Sequence, residues 1–588
     1  MSRNNRSLPT GGLAVDSGSP AASSTSQPRS GSPQELLRAE NLTIGFGARE
    51  VVRGVSFSLD AGRCLAIVGE SGSGKSVTAR TVVGLTGPRS YVQADELTFD
   101  GHDLLALDDR DWHEIRGKQV GFILQDALVS LDPLRPVTKE IEEGLRLHGW
   151  GTRQTRRQRA IELLALVGVP EPAVRARQRP DQLSGGLRQR ALIASALALD
   201  PKLVIADEPT TALDVTVQAQ VLEELEATKG RGQALILISH DLAVVSRLAD
   251  TVAVMRDGEI LEYGPAGEVF AAPKHEYTQA LIDAIPSAQS RGKRLSPHQR
   301  HATLGSIGRH ERSANGAPVL AASGLVKRYR GPDGVNRTVV DDVSFSLDQG
   351  ETLGIVGESG SGKTTTARLA LALSAPDAGE VLLAGEPWSA LAEKHRRHRR
   401  RQITVVYQDP LSSFDPRWSV EQILVDSLSG AAYTSNDRRR QRVNELLALV
   451  GLEDEHRLRR PLQLSGGQRQ RVAIARALGP EPRVIVCDEP VSALDVSIQA
   501  QVLDLLAELQ RELGVSYLFI SHDLGVIHHI SDRVLVMSDG KVVEQGSADD
   551  VLLRPQQPYT QQLVAALPEL ERPDRGPKRV AALVSNVA

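Results

Sequence analysis

At 588 residues, with 69 basic and 73 acidic side chains and a formal charge of −4, the chain lacks the basic excess usual in nucleic-acid binders. Two cysteines, Cys64 and Cys487, exclude a disulfide scaffold and a cysteine-only zinc or iron–sulfur site within one chain. The length predicts roughly three to six domains, and no apolar run approaches the ~18 residues needed to span a bilayer.

Residues 1–33 are polar, carry no apolar periodicity and read as a flexible tail. Met1–Ser30 has no apolar stretch of the kind a secretory signal needs, so the expected compartment is the cytosol, with any membrane span supplied by another chain. AENLTIGF at 39–46 reads as an entry strand, followed by short apolar runs, CLAIVG at 64–69, LVIAD at 203–207 and ALILIS at 234–239. Their length and β-branched content suit buried parallel strands, with helix-length stretches between them, as in an α/β domain. Residues 287–317 are polar, basic and almost free of large apolar side chains, and read as an exposed linker. ASGLVKRY at 322–329 then begins the same series again.

The chain is a duplication. GESGSGKS at 69–76 recurs as GESGSGKT at 357–364, and LSGGLRQR at 183–190 as LSGGQRQR at 464–471. ADEPTTALDVTVQAQVL at 206–222 recurs as CDEPVSALDVSIQAQVL at 487–503, and ISHDL at 238–242 as ISHDL at 520–524. The order is preserved, so the repeat unit is a whole domain and not a short solenoid element. The expected layout is a tail over 1–33, a domain over 34–286, a linker over 287–317, a second domain over 318–570 and a tail over 571–588.

Each G-x-x-x-x-G-K-[ST] run sits between a buried-strand pattern and a helix-like segment. Its glycines let backbone N–H groups wrap a β-phosphate. Lys75 or Lys363 neutralises β/γ charge, and Ser76 or Thr364 holds Mg²⁺. The nucleotide-cradling residues are therefore Gly69, Glu70, Ser71, Gly72, Ser73, Gly74, Lys75 and Ser76, and again Gly357, Glu358, Ser359, Gly360, Ser361, Gly362, Lys363 and Thr364. The acidic pairs Asp207-Glu208 and Asp488-Glu489 end strand runs. The Asp is expected to hold Mg²⁺ through water and the Glu to act as base for the attacking water. The plainer reading, a helix-capping carboxylate before Pro209 or Pro490, fits an isolated Asp-Glu-Pro but not one downstream of a phosphate loop.

Phosphate loop, LSGGQ-like signature, Asp-Glu strand end and downstream His, in this order, resemble the nucleotide-binding domain of ABC ATPases over nearly the whole chain. The resemblance implies two tandem P-loop NTPase domains, each an α/β core with an inserted helical subdomain, paired head to tail around two ATP molecules. It implies one site from Lys75, Ser76, Gln125, Asp207, Glu208 and His240 with Ser465, Gly466 and Gly467. The other takes Lys363, Thr364, Gln408, Asp488, Glu489 and His522 with Ser184, Gly185 and Gly186. Gln125 and Gln408 would join the Mg²⁺ shell, His240 and His522 the catalytic groups, and Phe46 and Tyr329 would stack on adenine, although isolated aromatics are more often core residues. Leu187 stands where the second half has Gln468, a departure with a mild expected effect, and both sites should hydrolyse ATP.

QDALVSLDP at 125–133, QDPLSSFDP at 408–416 and the tails EYTQALIDAIP at 276–286 and PYTQQLVAALP at 558–568 resemble the oligopeptide, dipeptide, nickel and glutathione importer group. That resemblance implies peptide uptake first, with nickel or glutathione as alternatives. The partners would be two membrane permeases and an extracytoplasmic binding protein, with the chain at the cytoplasmic face of the membrane. Residues 287–317 lack the cysteines with which many members build a cluster, so no iron–sulfur cluster is expected. Ribosome- or DNA-acting twin ATPases are the competing class, with KHRRHRRRQ at 394–402 as a phosphate contact. The run reads instead as a solvated face, the linker lacks a long charged helix, and two cysteines cannot build a zinc module, so no nucleic-acid partner is expected. A non-catalytic scaffold is the third reading, and Glu208 and Glu489 argue against it.

Overall fold

The computed structural model describes residues 34–125, 130–210, 213–287, 289–297, 317–330, 334–428, 433, 435–492 and 494–566. The two tails and residues 298–316 lie outside the described residues.

Three five-residue apolar runs, Cys64–Val68, Leu203–Asp207 and Ala234–Ile238, are buried along their whole length and sit together in one sheet. A strand with no solvent face needs layers on both sides, which explains why these runs show no polar alternation. The sheet runs Glu259–Pro265, Thr251–Arg256, Cys64–Val68, Ala234–Ile238, Leu203–Asp207, Val120–Ile123, parallel except at the first edge. A second, antiparallel sheet is built on the long hairpin Glu35–Phe46 and Arg49–Asp60, with Glu96–Phe99 and Ser90–Gln93 also pairing to its first strand. One apolar cluster fills the space between the two sheets, including Leu37, Leu42, Phe57, Leu65, Ile67 and Phe99.

The second half repeats this construction. Its parallel sheet runs Ile403–Val406, Val484–Asp488, Ser516–Ile520, Thr352–Val356, Arg533–Ser538, with Lys541–Ser547 antiparallel at the edge. A helical insertion lies between Val120–Ile123 and Leu203–Asp207 in the first half, and between Ile403–Val406 and Val484–Asp488 in the second. In the first half it comprises Val137–Leu147, Arg153–Leu166 and Gly185–Ala196, and in the second Val420–Ser427, Asn436–Leu449 and Gly466–Leu478. Val137–Leu147 buries Val137, Ile141 and Leu145 at helical spacing, against Ala160, Leu163 and Leu164 of the next helix. The fold is thus α/β in both halves, each with a helical insertion. Cys64 and Cys487 are fully buried in strands, and burial pushes both thiols well up from their ordinary pKa.

Two sequence expectations change. Residues 289–297 are only partly an exposed linker, since Ser290, Arg291, Leu295 and Ser296 are partly or fully buried against the second half. Leu295 is 3% exposed, and Asp504, buried on the helix Val496–Leu513, accepts from Leu295 N–H (3.0 Å), Ser296 N–H (2.9 Å) and the Ser296 hydroxyl (2.5 Å). Arg294 pairs with Glu508 at 2.7 Å, and the Ser290 hydroxyl meets His529 at 2.9 Å. A polar segment docks here because its partner is a buried carboxylate that would otherwise lack donors.

The basic run at 394–402 is only partly a solvated face. Arg396 donates to Ala372 O, Arg399 to Leu383 O and Pro387 O, and Arg400 to Leu371 O while lying 5.4 Å from the Trp388 ring. Lys394, His395, Arg397, His398 and Arg401 remain exposed.

Asp504→Ala strips the docked segment of its acceptor. We expect a loss of about 1–3 kcal/mol of stability, read from the urea midpoint, and earlier tryptic cleavage after Arg291, Lys293 or Arg294. Unchanged cleavage would show that the segment is held by other contacts.

Candidate functional site

Each phosphate loop is a turn that only glycine can make at several points. Gly72 and Gly74 have φ of +83° and +101°, and Gly360 and Gly362 have +85° and +100°. A Cβ on Gly69 would stand 2.0 Å from Met255 O, and one on Gly357 2.1 Å from Met537 O. At the bottom of the loop Lys75, 6% exposed, donates to Gly69 O at 2.8 Å and Glu70 O at 2.7 Å. Lys363 donates to Gly357 O and Glu358 O, both at 2.7 Å. Burial pushes the Lys75 pKa down, against the pull of Asp495, Glu208 and Asp207. Asp495 belongs to the opposite half, as Asp214 does at Lys363.

The strand Leu203–Asp207 delivers Asp207 beside the loop, where Ser76 donates to its Oδ1 at 2.9 Å, and Thr364 does the same to Asp488 at 3.3 Å. Asp207 is fully buried, its pKa is raised by that burial, and its Oδ2 has no hydrogen-bond partner. The Ser73 and Ser361 hydroxyls are also buried without a partner. Orphaned buried oxygens are costly in an empty fold. Here they line the loop and strand end that would meet phosphate and a hydrated cation, so the donor set fits a Mg²⁺–nucleotide.

Glu208 and Glu489 follow at φ +50°, a left-handed backbone unusual for a side chain with a Cβ. Each is clamped there by its N–H donating to the neighbouring strand, at Ile238 O (2.9 Å) and Ile520 O (3.0 Å). Two predicted groups converge on each carboxylate. Gln125 Nε2 donates to Glu208 at 2.7 Å and His240 Nδ1 lies 3.4 Å away; Gln408 and His522 stand at 2.8 and 3.2 Å from Glu489. Gln125 and Gln408, expected at the metal, reach the Glu with their amide nitrogen.

Burial lowers the His240 and His522 pKa, but the hydrogen bond and charge of the adjacent Glu outweigh it and hold both above the ordinary value. Burial also raises Glu489, and His522 together with Lys363 brings it below the usual carboxylate range.

The halves meet at these loops. Ser497 donates to Glu70 at 2.7 Å, and Thr216 donates to Glu358 at 2.6 Å. A small gap beside them is lined by Gly69, Glu70, His240, Asp495 and Val496 among others. The signature is tied to the same contact. A Cβ on Gly467 would lie 2.5 Å from Ile498, and one on Gly186 2.6 Å from Val217, so each signature packs on the helix whose first turn touches the opposite phosphate loop.

Ser465 caps the helix Gly466–Leu478, and the Gln468 side-chain oxygen accepts in return from Ser465 N–H at 2.9 Å. Ser184 caps Gly185–Ala196 alone, because Leu187 has no side-chain acceptor. Ser184, Gly185, Ser465 and Gly466 are exposed.

Phe46 and Tyr329 end equivalent strands outside the cores. Phe46 is partly buried and Tyr329 is 42% exposed, with Lys327 5.7 Å from its ring. Sequence reasoning missed Ser497, Thr216, Asp495 and Asp214, and also Tyr277 and Tyr559. The two tyrosine hydroxyls accept from Glu70 N–H and Glu358 N–H, both at 3.2 Å. The signal available was their recurrence at equivalent positions of ALDVT/ALDVS, with Thr216 answered by Ser497, and in the two Tyr-Thr tails.

The family model described as "ABC transporter" matches residues 52–211 and 340–492, and that described as "Oligopeptide/dipeptide transporter, C-terminal region" matches 261–307 and 543–587. The chain is 42% identical over 578 residues to "Glutathione import ATP-binding protein GsiA" of Pectobacterium atrosepticum, covering 94% of this chain and 93% of that one. It is 41% identical to the protein of the same name in Escherichia coli K12, covering 93% and 91%. It is 43% identical to "Peptidoglycan transport ATP-binding protein YejF" of Agrobacterium fabrum, covering 92% and 97%. Two phosphate loops, two signatures and two Asp-Glu strand ends, matched along almost the whole length of such relatives, place the chain in the ABC transporter family as an ATPase with two fused nucleotide-binding domains.

Proposed function

We propose that this chain is the ATP-hydrolysing subunit of an importer for short peptides, acting at the cytoplasmic face of a membrane with two permease subunits and an extracytoplasmic binding protein. The observation that carries the reading is the match of both Tyr-Thr tails to the oligopeptide/dipeptide C-terminal region. The names of the relatives favour one second reading, glutathione, itself a short peptide. We place the domains at 34–286 and 318–570.

In each site the phosphate-loop N–H groups and lysine bind the nucleotide phosphates, and the exposed signature serine and glycine of the opposite half supply further donors at a helix N-terminus. Mg²⁺, held by Ser76, Gln125 and Asp207 or by Thr364, Gln408 and Asp488, would neutralise phosphate charge. Glu208 or Glu489 accepts a proton from water, and the bonds from Gln125 and His240, or Gln408 and His522, orient the carboxylate for that task. Phe46 and Tyr329 offer ring faces to the adenine. Large apolar side chains flank each glutamine, with Leu124 and Leu134 36% and 75% exposed and Tyr407 and Trp418 38% and 37% exposed, and they suit docking of permease segments. No helix among the described residues is long and apolar enough to cross a membrane, and the pore in this proposal belongs to the permeases.

Three measurements follow from this reading. Glu208→Gln with Glu489→Gln should retain ATP binding and lose turnover by about 100-fold or more; substantial remaining ATPase would sink the assignment of the base. Reconstitution with the permeases that co-purify should give ATPase stimulated by di- and oligopeptides. Stimulation by glutathione alone would select the second reading, and recovery of the chain on ribosomes would reject import.

The third is a pH dependence. The raised His522 contributes stability that is complete below about pH 6.5 and is lost as pH rises through its folded-state pKa. The lowered Glu489 contributes above about pH 4.3 and is lost as pH falls. The gap in melting temperature between the native chain and His522→Gln should therefore shrink as pH rises from about 6 to 8, and a widening gap would contradict the pairing.

A further inference from the structure

The Tyr-Thr-x-x-Leu tails have no part in the hydrolysis described above, yet they reach it. Tyr277 lies in the first turn of the helix Glu276–Asp283, is buried, and accepts from Glu70 N–H at 3.2 Å. Tyr559, in Pro558–Ala565, accepts from Glu358 N–H at the same distance. Each glutamate is engaged three times. The N–H of Glu70 goes to the tail tyrosine, its carbonyl to Lys75 (2.7 Å), and its carboxylate to Ser497 of the other half (2.7 Å). Glu358 repeats the pattern with Tyr559, Lys363 (2.7 Å) and Thr216 (2.6 Å). One helical turn beyond Tyr277, Leu281 lines the gap whose far wall is Asp495 and Val496.

The tail helices are anchored independently of these hydroxyls. Glu262 accepts from Lys274 and His275 N–H at 2.9 and 3.1 Å, and Glu544 accepts from Gln556 and Gln557 N–H at 2.8 and 3.2 Å. The Tyr277 ring also packs under Arg256 at 4.9 Å. Packing would be satisfied by phenylalanine. The hydroxyl is the part that reaches the loop, and it does so in both tails.

We propose that Tyr277 and Tyr559 are positioning residues for ATP hydrolysis. Each hydroxyl fixes the second residue of a phosphate loop, so that engagement of the opposite half at that residue's carboxylate is transmitted to the carbonyl holding the loop lysine. The tail is then a working part of the nucleotide site. This inference rests on ATP hydrolysis by the chain and not on the import reading, so a chain that carries no peptide still tests it.

The test uses the full-length chain and three variants: Tyr277→Phe with Tyr559→Phe, Ser497→Ala with Thr216→Val, and all four substitutions together. A single hydrogen bond of this kind moves a rate by about two- to tenfold, so the Tyr→Phe pair should lower kcat in that range while KM for ATP stays within about twofold. The Ser/Thr pair should do the same, and the quadruple variant should be no slower than the slower pair, since both act through one glutamate. Unchanged kcat in the Tyr→Phe pair, a quadruple variant whose losses multiply, or a loss that merely tracks a lowered melting temperature would overturn the proposal.

Discussion

A lysine ammonium buried at the base of each phosphate loop is the charge around which the rest of the molecule is arranged. Removing such a group from water costs several kcal/mol unless oxygen ligands surround it. Lys75 has two loop carbonyls and the charges of Asp207 and Glu208 from its own half, and that of Asp495 from the other. The parallel sheet exists in a form that supplies these. Its buried strands end together, so the loop after Cys64–Val68 and the Asp-Glu pair after Leu203–Asp207 emerge on one edge. Anything that disturbs strand register moves an oxygen away from this cation.

The dependence on the opposite half makes the duplication physically meaningful. A single half would leave its loop glutamate without the Ser497 or Thr216 hydroxyl and its lysine without the Asp495 or Asp214 charge. The halves are nonetheless not copies. The helix Gly466–Leu478 begins with a reciprocal cap and a bond from Gln468 to His456 at 3.1 Å, whereas Gly185–Ala196 has Leu187 packed towards its own core. The start of Gly185–Ala196 is therefore held less firmly than that of Gly466–Leu478.

The α/β class, the buried strands and the loop, acid and histidine positions were legible because they are local patterns whose residue types have few other uses. Gly72, Gly74 and Lys75 show their purpose within eight residues. Contacts between distant positions were not legible. The bond from Ser497 to Glu70 joins residues 427 apart, and nothing near either one announces the other. The docking of 289–297 was hidden for a related reason, since composition describes the segment but not the carboxylate of Asp504 that receives it. Arg399 and Arg400 similarly look like solvent-facing charge until the backbone carbonyls they donate to are in place.

The left-handed backbone at Glu208 and Glu489 carries a consequence for how this protein can change. A side chain with a Cβ held at φ +50° costs of order 1–2 kcal/mol, and the duplicated architecture incurs that cost twice. Asparagine or glycine would relieve it, so selection for robustness alone would drive both positions away from glutamate. Mutational drift in this chain is therefore biased towards a sturdier molecule that lacks the proposed base, and in that reading the two glutamates mark where activity and durability pull in opposite directions.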